Sequence, residues 1–109
     1  MTTVLLKKPL LKSKNIISVV QELFKIFYDE KVSLIKKNIS SLLGKICSSL
    51  SFESLKGFFS QNDLKSTMMI LVSLSENGLK IPKEIILNSL ENHDPIIRVY
   101  ALYIASYRI

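Results

Sequence analysis

Apolar residues recur at helical spacing along most of the chain. They fall three or four positions apart with polar side chains between them, which is the pattern of an amphipathic α-helix. No stretch alternates apolar and polar residues as a half-buried strand would. The pattern predicts six helices, at about residues 15–28, 32–48, 51–59, 64–77, 82–92 and 94–109.

Three local signals mark where the predicted helices begin and end. Asp63 and Asp94 precede the fourth and sixth helices, where a carboxylate can accept a hydrogen bond from a free backbone N–H. Pro95 follows Asp94, and its missing N–H costs nothing at the first helical position. Gly78 follows the fourth helix, where a left-handed residue commonly ends a helix. The chain is therefore predicted to be all-α with short connections.

The second, fourth and sixth predicted helices resemble one another. They contain IKKNISSLL from Ile35, LKSTMMILV from Leu64 and IRVYALYIA from Ile97, which begin 29 and 33 residues apart. Each segment opens with an aliphatic residue and a base, and each has apolar residues at its fifth and eighth positions. A repeat of this length built from helix pairs is typical of an α-solenoid. The fifth positions, which we predict to be equivalent and buried, are Ile39, Met68 and Ala101.

The segment DPIIRVYALYIAS resembles the second helix of a HEAT-like repeat. Its usual run is Asp-Pro, an aliphatic-Arg pair, and then small and aliphatic residues. LIKKNISSLLGKI is similar, with Gly44 where such repeats often have Leu-Gly. The middle copy departs most, because Met68 and Met69 stand where small residues are usual. The resemblance covers residues 15–109 and implies six helices arranged as three antiparallel HEAT-like pairs, in an α-solenoid or a compact superhelix.

The resemblance also implies a structural role for several charged residues. In HEAT-like proteins the Asp and Arg of this motif often form a ladder between neighbouring repeats. Asp94 and Arg98 match that pair, whereas Asp63 with Lys65 matches loosely. Lys36 matches the base of the pair, and Asp29 would be its acid. A lysine is a point charge and does not reproduce the guanidinium fork.

Charge divides the chain into two parts. Residues 1–14 contain four lysines and no acid, which gives +4, and residues 15–109 contain eleven bases and nine acids, which gives +2, so the total is +6. We predict a basic N-terminal arm at 1–14 and a helical repeat domain at 15–109. The arm either keeps the protein in solution or binds a phosphate backbone. Its lysines are Lys7, Lys8, Lys12 and Lys14.

The sequence contains little that indicates catalysis or a bound group. Cys47 is the single cysteine, so no disulfide can form within the chain, and we predict that it is a small buried hydrophobe. His93 is the single histidine and precedes a helix, so we predict that it belongs to the capping region of that helix. The alternative is a general base oriented by Asp94. One histidine and one cysteine are too few for a metal site. We predict no enzymatic activity, no metal and no cofactor.

Apolar runs and cysteine usage also suggest a location. The longest strictly apolar run, MMILV from Met68, is far shorter than the ~18 residues that a membrane span requires. We therefore predict no contact with a membrane. A single cysteine makes the cytoplasm the default location.

The last predicted helix has two apolar faces. One face, suited to packing within the fold, contains Ile97, Ala101, Ile104 and Ala105. The second face contains Ile96, Tyr100, Tyr103 and Tyr107. Its tyrosines either close a compact bundle with only their hydroxyls in water, or they form a protein interface. A second copy of the chain, in a dimer, is the simplest partner for such an interface.

Two functions from different classes are consistent with these patterns. The first is a non-enzymatic binding or scaffold module that mediates protein–protein interaction and self-associates. The alternative is nucleic-acid binding, either by a solenoid or by a winged-helix-like segment, LVSLSENGLKIPKEIILNSLEN. A steep dependence of binding on salt would distinguish the second function from the first. Its candidate contacts are Lys7, Lys8, Lys12, Lys14, Lys36, Lys37 and Lys65.

Overall fold

Six α-helices form the fold in a computed structural model that describes residues 13–108, with side chains from Ile16 onwards. Short 3-10 turns at Cys47–Ser49 and Lys56–Phe58 follow the second and third helices. The described part of the chain has no strand, so the predicted all-α fold class is confirmed. The helices are α1 (Ser13–Asp29), α2 (Ser33–Ile46), α3 (Phe52–Leu55), α4 (Leu64–Glu76), α5 (Lys83–Leu90) and α6 (Pro95–Ser106).

Local signals in the sequence correctly place the starts of α4 and α6 and the end of α4, whereas α6 ends at Ser106, earlier than predicted. A carboxylate oxygen of Asp63 accepts a hydrogen bond from the Ser66 N–H at 3.1 Å, and Asp94 accepts one from the Ile96 N–H at 2.9 Å. Gly78, just past α4, has a φ of +95°. The third helix is shorter than predicted, because its second half tightens into the Lys56–Phe58 turn.

Helices α2, α4 and α6 lie side by side in a row. α2 packs against α4, and α4 packs against α6. α1 packs against α2, and α5 packs against α6. Because α4 has a neighbour on each side, it has more buried residues than any other described helix. Its buried residues are polar as well as apolar: Ser66, Thr67, Met68, Ile70, Leu71, Ser73, Leu74 and Ser75.

Small residues let α2 and α4 approach closely. A Cβ atom on Gly44 would lie 2.7 Å from the carbonyl oxygen of Ser73, closer than real Cβ contacts. The Ser40 hydroxyl donates to the carbonyl oxygen of Met69 at 3.3 Å and lies 2.9 Å from the Ser73 hydroxyl, which therefore donates to it. The contact at Ser40 and Met69 is followed, one turn further along both helices, by the contact at Gly44 and Ser73. α2 and α4 therefore run in the same direction.

A closed ring of hydrogen bonds joins the end of α1 to the start of α4. The Ser60 N–H donates to the Tyr28 hydroxyl oxygen at 3.0 Å, and the Thr67 hydroxyl donates to the Ser60 carbonyl oxygen at 3.0 Å. The Tyr28 and Thr67 hydroxyl oxygens are 2.6 Å apart. Since Thr67 has already given its one hydroxyl proton, Tyr28 is the donor of that third bond.

The core extends along the row and towards α1 and α3. Phe24 of α1 stacks on Phe58 and contacts the edge of Phe59. These contacts pack α1 against the segment around α3. Among the three positions predicted to be equivalent, Met68 and Ala101 are fully buried and Ile39 is half-buried against the core. The predicted burial is confirmed for Met68 and Ala101, whereas Ile39 is only partly buried.

Candidate protein-binding surface

The inner side of α6 packs within the fold. Ile97, Ala101 and Ile104 are buried, as the sequence pattern predicts. Tyr100, predicted to belong to the second face, is half-buried and packs against the core. The Tyr107 hydroxyl donates to a carboxylate oxygen of Glu76 on α4 at 3.3 Å. Two of the three tyrosines therefore contact α4 or the core.

The opposite side of α6 is apolar and open to solvent. At 100° per residue the exposed apolar side chains cover a continuous arc of about 140° on the helix. Part of this arc, lined by Val99, Leu102, Tyr103 and Ser106, forms a shallow depression of about 380 Å³. We call the five large side chains of this arc the α6 outer face. Their exposed fractions are Ile96 45%, Val99 49%, Leu102 59%, Tyr103 55% and Tyr107 49%.

Sequence reasoning missed two members of the α6 outer face. It selected the tyrosine column and left out Val99 and Leu102, which are among the most exposed apolar side chains described. A signal for Val99 was present, because Ile96, Val99 and Tyr103 also follow helical spacing. The spacing alone does not show which of two apolar columns a neighbouring helix covers.

The predicted lysine contacts are in different environments. The Lys36 ammonium lies 4.9 Å from the centre of the Phe27 ring and 3.9 Å from a carboxylate oxygen of Asp63, and its side chain is only 15% exposed. Lys37 and Lys65 are exposed. Lys7, Lys8 and Lys12 lie outside the described residues, as does the side chain of Lys14. Nucleic-acid binding stays a prediction, and Lys36 is the least exposed of its three described contacts.

The link between Lys36 and Asp63 joins α2 to the start of α4. Burial of Asp63 would raise its pKa, but hydrogen bonds from Ser66 and the positive charges of Lys36 and Lys65 hold the pKa below its usual value. The carboxylate is thus charged at neutral pH and both caps α4 and binds Lys36. The contact joins two helices of the row, but its partners differ from the pairs that the resemblance implies, which are Asp63 with Lys65 and Lys36 with Asp29.

Arg98 has a different role from the one that the resemblance implies. Its guanidinium donates to the backbone carbonyl oxygens of Asn92 and His93, at 2.8 and 3.0 Å. Both acceptors lie in the connection just before α6, so Arg98 braces the start of its own helix. Among the described residues it forms no ion pair with Asp94.

The single cysteine and histidine are in separate environments. Cys47 is fully buried, and this burial raises the pKa of its thiol to about 11, so the thiol stays protonated at neutral pH. His93 is exposed, in the connection before α6. Within residues 13–108 no three His, Cys, Asp or Glu side chains are grouped so as to hold a metal ion.

No helix in the described part of the chain is both long enough and apolar enough to cross a membrane. Comparison with protein-family models, with curated proteins and with solved structures gives no match for this chain. The HEAT-like resemblance stays a prediction from the sequence pattern.

Proposed function

We propose that this protein is a non-enzymatic helical-repeat module that binds other protein chains and associates with a second copy of itself. The observation that carries the proposal is the α6 outer face. It places five large apolar or aromatic side chains, each about half exposed, on one side of one helix. Contiguous apolar patches of a few hundred Å² are often functional surfaces.

The size of the α6 outer face is suited to a modest interface. With ~200 Å² for each tyrosine and somewhat less for each aliphatic side chain, five half-exposed residues present on the order of 450 Å² of surface. Two such faces in contact would bury roughly 900 Å², and neighbouring residues bring the total near the ~1,000 Å² that specific interfaces need. Tyrosine adds large contact area with few rotatable bonds.

A second copy is the occupant that the chemistry of the face favours. The five side chains of the α6 outer face carry no charge at neutral pH, so two identical faces can meet without like-charge repulsion. In a two-fold dimer each residue meets a patch of the same composition. An apolar patch of this kind is self-complementary by composition, whereas a charged patch would require a different partner.

The arrangement of the helices supports the repeat part of the proposal. The pairs α1/α2, α3/α4 and α5/α6 would be three short HEAT-like repeats, with α2, α4 and α6 as their second helices. Those three helices pack in sequence order. The Lys36–Asp63 contact connects the first pair to the second. The middle pair is the most reduced, since α3 has only four residues.

The test is a double substitution of Leu102 and Tyr103 to Glu, which places two negative charges in the α6 outer face. We expect a dimer for the wild type and a folded monomer for the variant, measured by light scattering over a range of concentrations. Tyr103→Glu with Tyr107→Glu should act in the same direction. Leu87→Glu is the matched control, because Leu87 is 51% exposed on α5, outside that face.

A wild type that is monomeric at every concentration would refute self-association. Unchanged association of the Leu102→Glu/Tyr103→Glu variant would move the interface elsewhere on the molecule. Circular dichroism of each variant establishes that the helices are retained.

A further inference from the structure

The row of helices has a second exposed apolar surface, at the end opposite the α6 outer face. Of the twelve large apolar side chains that are exposed in the described residues, five form the α6 outer face and five lie between Ile26 and Leu42. The second group belongs to the last turn of α1, to α2 and to the residue just before α2. Both ends of the row therefore expose apolar side chains.

A regular stripe of four aliphatic residues runs along α2 at this end. At 100° per residue they occupy an arc of about 60°, roughly 150° round the helix from Ser40 and Gly44, which contact α4. The first and third are 46% and 45% exposed, and the other two are half-buried against the core. We call this stripe the α2 outer face, and its members are Ile35, Ile39, Leu42 and Ile46.

The contacts of α1 leave much of the α2 outer face open. The Phe24 ring stacks on Phe58, and the Tyr28 hydroxyl bonds with Thr67, so α1 is held against the segment around α3 and the start of α4. α2 packs against α1 and α4, and in the described part of the chain no further helix lies beyond α2 in the row. A cover for the α2 outer face must come from residues 1–12 or from another chain.

The segment that precedes α1 has the composition of such a cover. Residues 1–12 lie outside the described residues and join α1 at Ser13. Aliphatic side chains match a stripe that carries no charge, while a lysine can lay its stem along an apolar surface and keep its ammonium in water. The segment has five aliphatic residues and three lysines: Val4, Leu5, Leu6, Leu10 and Leu11 with Lys7, Lys8 and Lys12.

The length and the attachment of this segment favour it over a separate chain. An extended chain advances ~3.3 Å per residue, so Val4 can lie up to ~30 Å from Ser13. At 1.5 Å per residue α2 is only about 21 Å long, so the segment can run along it from the start of α1. Because the segment is covalently attached, its effective concentration at α2 is on the order of millimolar. A second copy at micromolar concentration does not have that advantage.

We propose that residues 1–12 pack against the α2 outer face, with their aliphatic side chains on the stripe and their lysines in solvent. The packing also limits association, a consequence that rests on the proposed self-association through α6. A molecule with an open apolar face at each end of its row can associate head to tail without closing. With the α2 end covered by its own chain, only the α6 outer face stays open, and association stops at two copies.

A spin label on residue 3 of the full chain tests the packing. Thr3→Cys supplies the attachment point, and Cys47 does not compete for the label because it is fully buried. The label is placed in the Leu102→Glu/Tyr103→Glu variant, so that contacts between copies through α6 do not contribute. In nuclear magnetic resonance spectra we expect the label to broaden the amide signals of residues 35–46 and to leave those of α6 sharp.

Charge substitutions distinguish a packed segment from one that is merely attached nearby. Leu42→Glu places a charge in the stripe and should reduce the broadening severalfold, whereas Leu87→Glu, an equally exposed leucine on α5, should leave it unchanged. Leu10→Glu/Leu11→Glu alters the segment instead of the stripe and should also release it, without touching any described helix. Circular dichroism shows whether each variant is folded.

Two results would overturn the packing. One is equal broadening in the Leu42→Glu and Leu87→Glu variants, as a segment without a docking site would give. The other is broadening that appears only between molecules, in a mixture of spin-labelled and isotope-labelled copies, which would make a second copy the occupant.

The limit on association is measured separately, by light scattering. Leu10→Glu/Leu11→Glu in an otherwise wild-type chain should form species larger than a dimer, and a variant that stays dimeric would refute the limit. A wild type that is monomeric would refute self-association instead, and the spin-label result would stand unaffected.

Discussion

The contact between α2 and α4 and the α6 outer face are opposites in composition and in burial. Where the two backbones come closest, the first is built from glycine and serine, which are buried beside apolar residues. The second is built from leucine, valine, isoleucine and tyrosine, and these side chains are about half exposed. At these two places small polar residues are buried and large apolar residues are exposed, the reverse of the usual preference.

The number of neighbours of each helix explains this reversal. α4 is flanked by α2 and α6, so most of its residues are buried, and small residues are needed where backbones approach. The serine hydroxyls there bond to each other or to backbone carbonyls, which removes the cost of burying them. α6 has no helix beyond it in the described row, so its far side stays open whatever its residues are.

A matched pair of leucines gives the largest expected difference between the two regions. Leu74 on α4 is fully buried, whereas Leu102 on α6 is 59% exposed. Leu74→Ala removes packed methyl groups and leaves a cavity, so it should destabilise the fold by ~2–5 kcal/mol. Leu102→Ala should change the stability of the monomer by less than ~0.5 kcal/mol. Urea unfolding at low protein concentration measures both, and equal losses would refute the comparison.

A pair of glycines tests how tightly α2 approaches α4. Gly44→Ala places a Cβ atom 2.7 Å from the backbone oxygen of Ser73, which cannot move without shifting α4. We expect a loss of ~1–3 kcal/mol. Gly57→Ala is the control, since nothing lies within 4 Å of its Cβ position, and it should be neutral or slightly stabilising. If Gly44→Ala melts at the wild-type temperature, the helices have room that the structure does not show.

The hydrogen-bonded ring at Tyr28 tests the attachment of α1 to the row. Tyr28→Phe leaves the Ser60 N–H without its acceptor and Thr67 without its donor, at a cost of ~1–3 kcal/mol. Thr67→Val breaks the same ring from the other side. In a double-mutant cycle the two losses should be strongly non-additive. Additive losses would mean that the three groups do not act as a unit.

The same tyrosine gives a prediction about alkaline pH. Burial raises the pKa of Tyr28 above its ordinary value near 10, although the hydrogen bonds with Thr67 and Ser60 oppose the shift. The neutral hydroxyl is therefore favoured in the folded state. Its stabilisation is fully present below pH ~10 and is lost as pH rises through the raised pKa. Cys47 is present in both the wild type and Tyr28→Phe, so its ionisation cancels when the two are compared. The difference between their free energies of unfolding should therefore shrink only as Tyr28 ionises.

The cap of α6 should have the smallest of these effects on the free energy of unfolding. Asp94→Ala removes the acceptor of the Ile96 N–H, with an expected loss of ~0.5–2 kcal/mol. Thermal melting monitored by circular dichroism measures it. Asp94→Asn should retain most of the stability, because the amide oxygen can accept the same bond, and a melting curve of Asp94→Ala identical to that of the wild type would mean that the cap contributes nothing.

Features that depend on neighbours in the sequence could be predicted. Asp63 and Asp94 were recognised as caps and Gly78 as a left-handed terminus, because each is determined by residues within one helical turn. The starts of α4 and α6 and the end of α4 follow from these signals. The inner side of α6, at Ile97, Ala101 and Ile104, was also predicted correctly, because small and aliphatic residues at that spacing favour close packing.

Features that depend on distant residues could not be predicted in this way. The Lys36–Asp63 contact and the Tyr28–Thr67 bond join residues 27 and 39 positions apart. The membership of the α6 outer face depends on how α6 is rotated against α4, which turns Tyr100 inwards and Leu102 outwards. Hydrophobicity favours burial for both side chains, and only the position of the neighbouring helix decides between them.

The closed ring at Tyr28 also makes one backbone proton a reporter of motion. The Ser60 N–H lies in the connection before α4 and donates to a side chain of α1. It can therefore exchange with solvent only when α1 moves away or the Ser60 segment opens. Hydrogen exchange at this amide should therefore follow the local opening of α1, while amides in α4 exchange only on deeper unfolding. A single resonance would then show how often the first helix detaches from the rest of the protein.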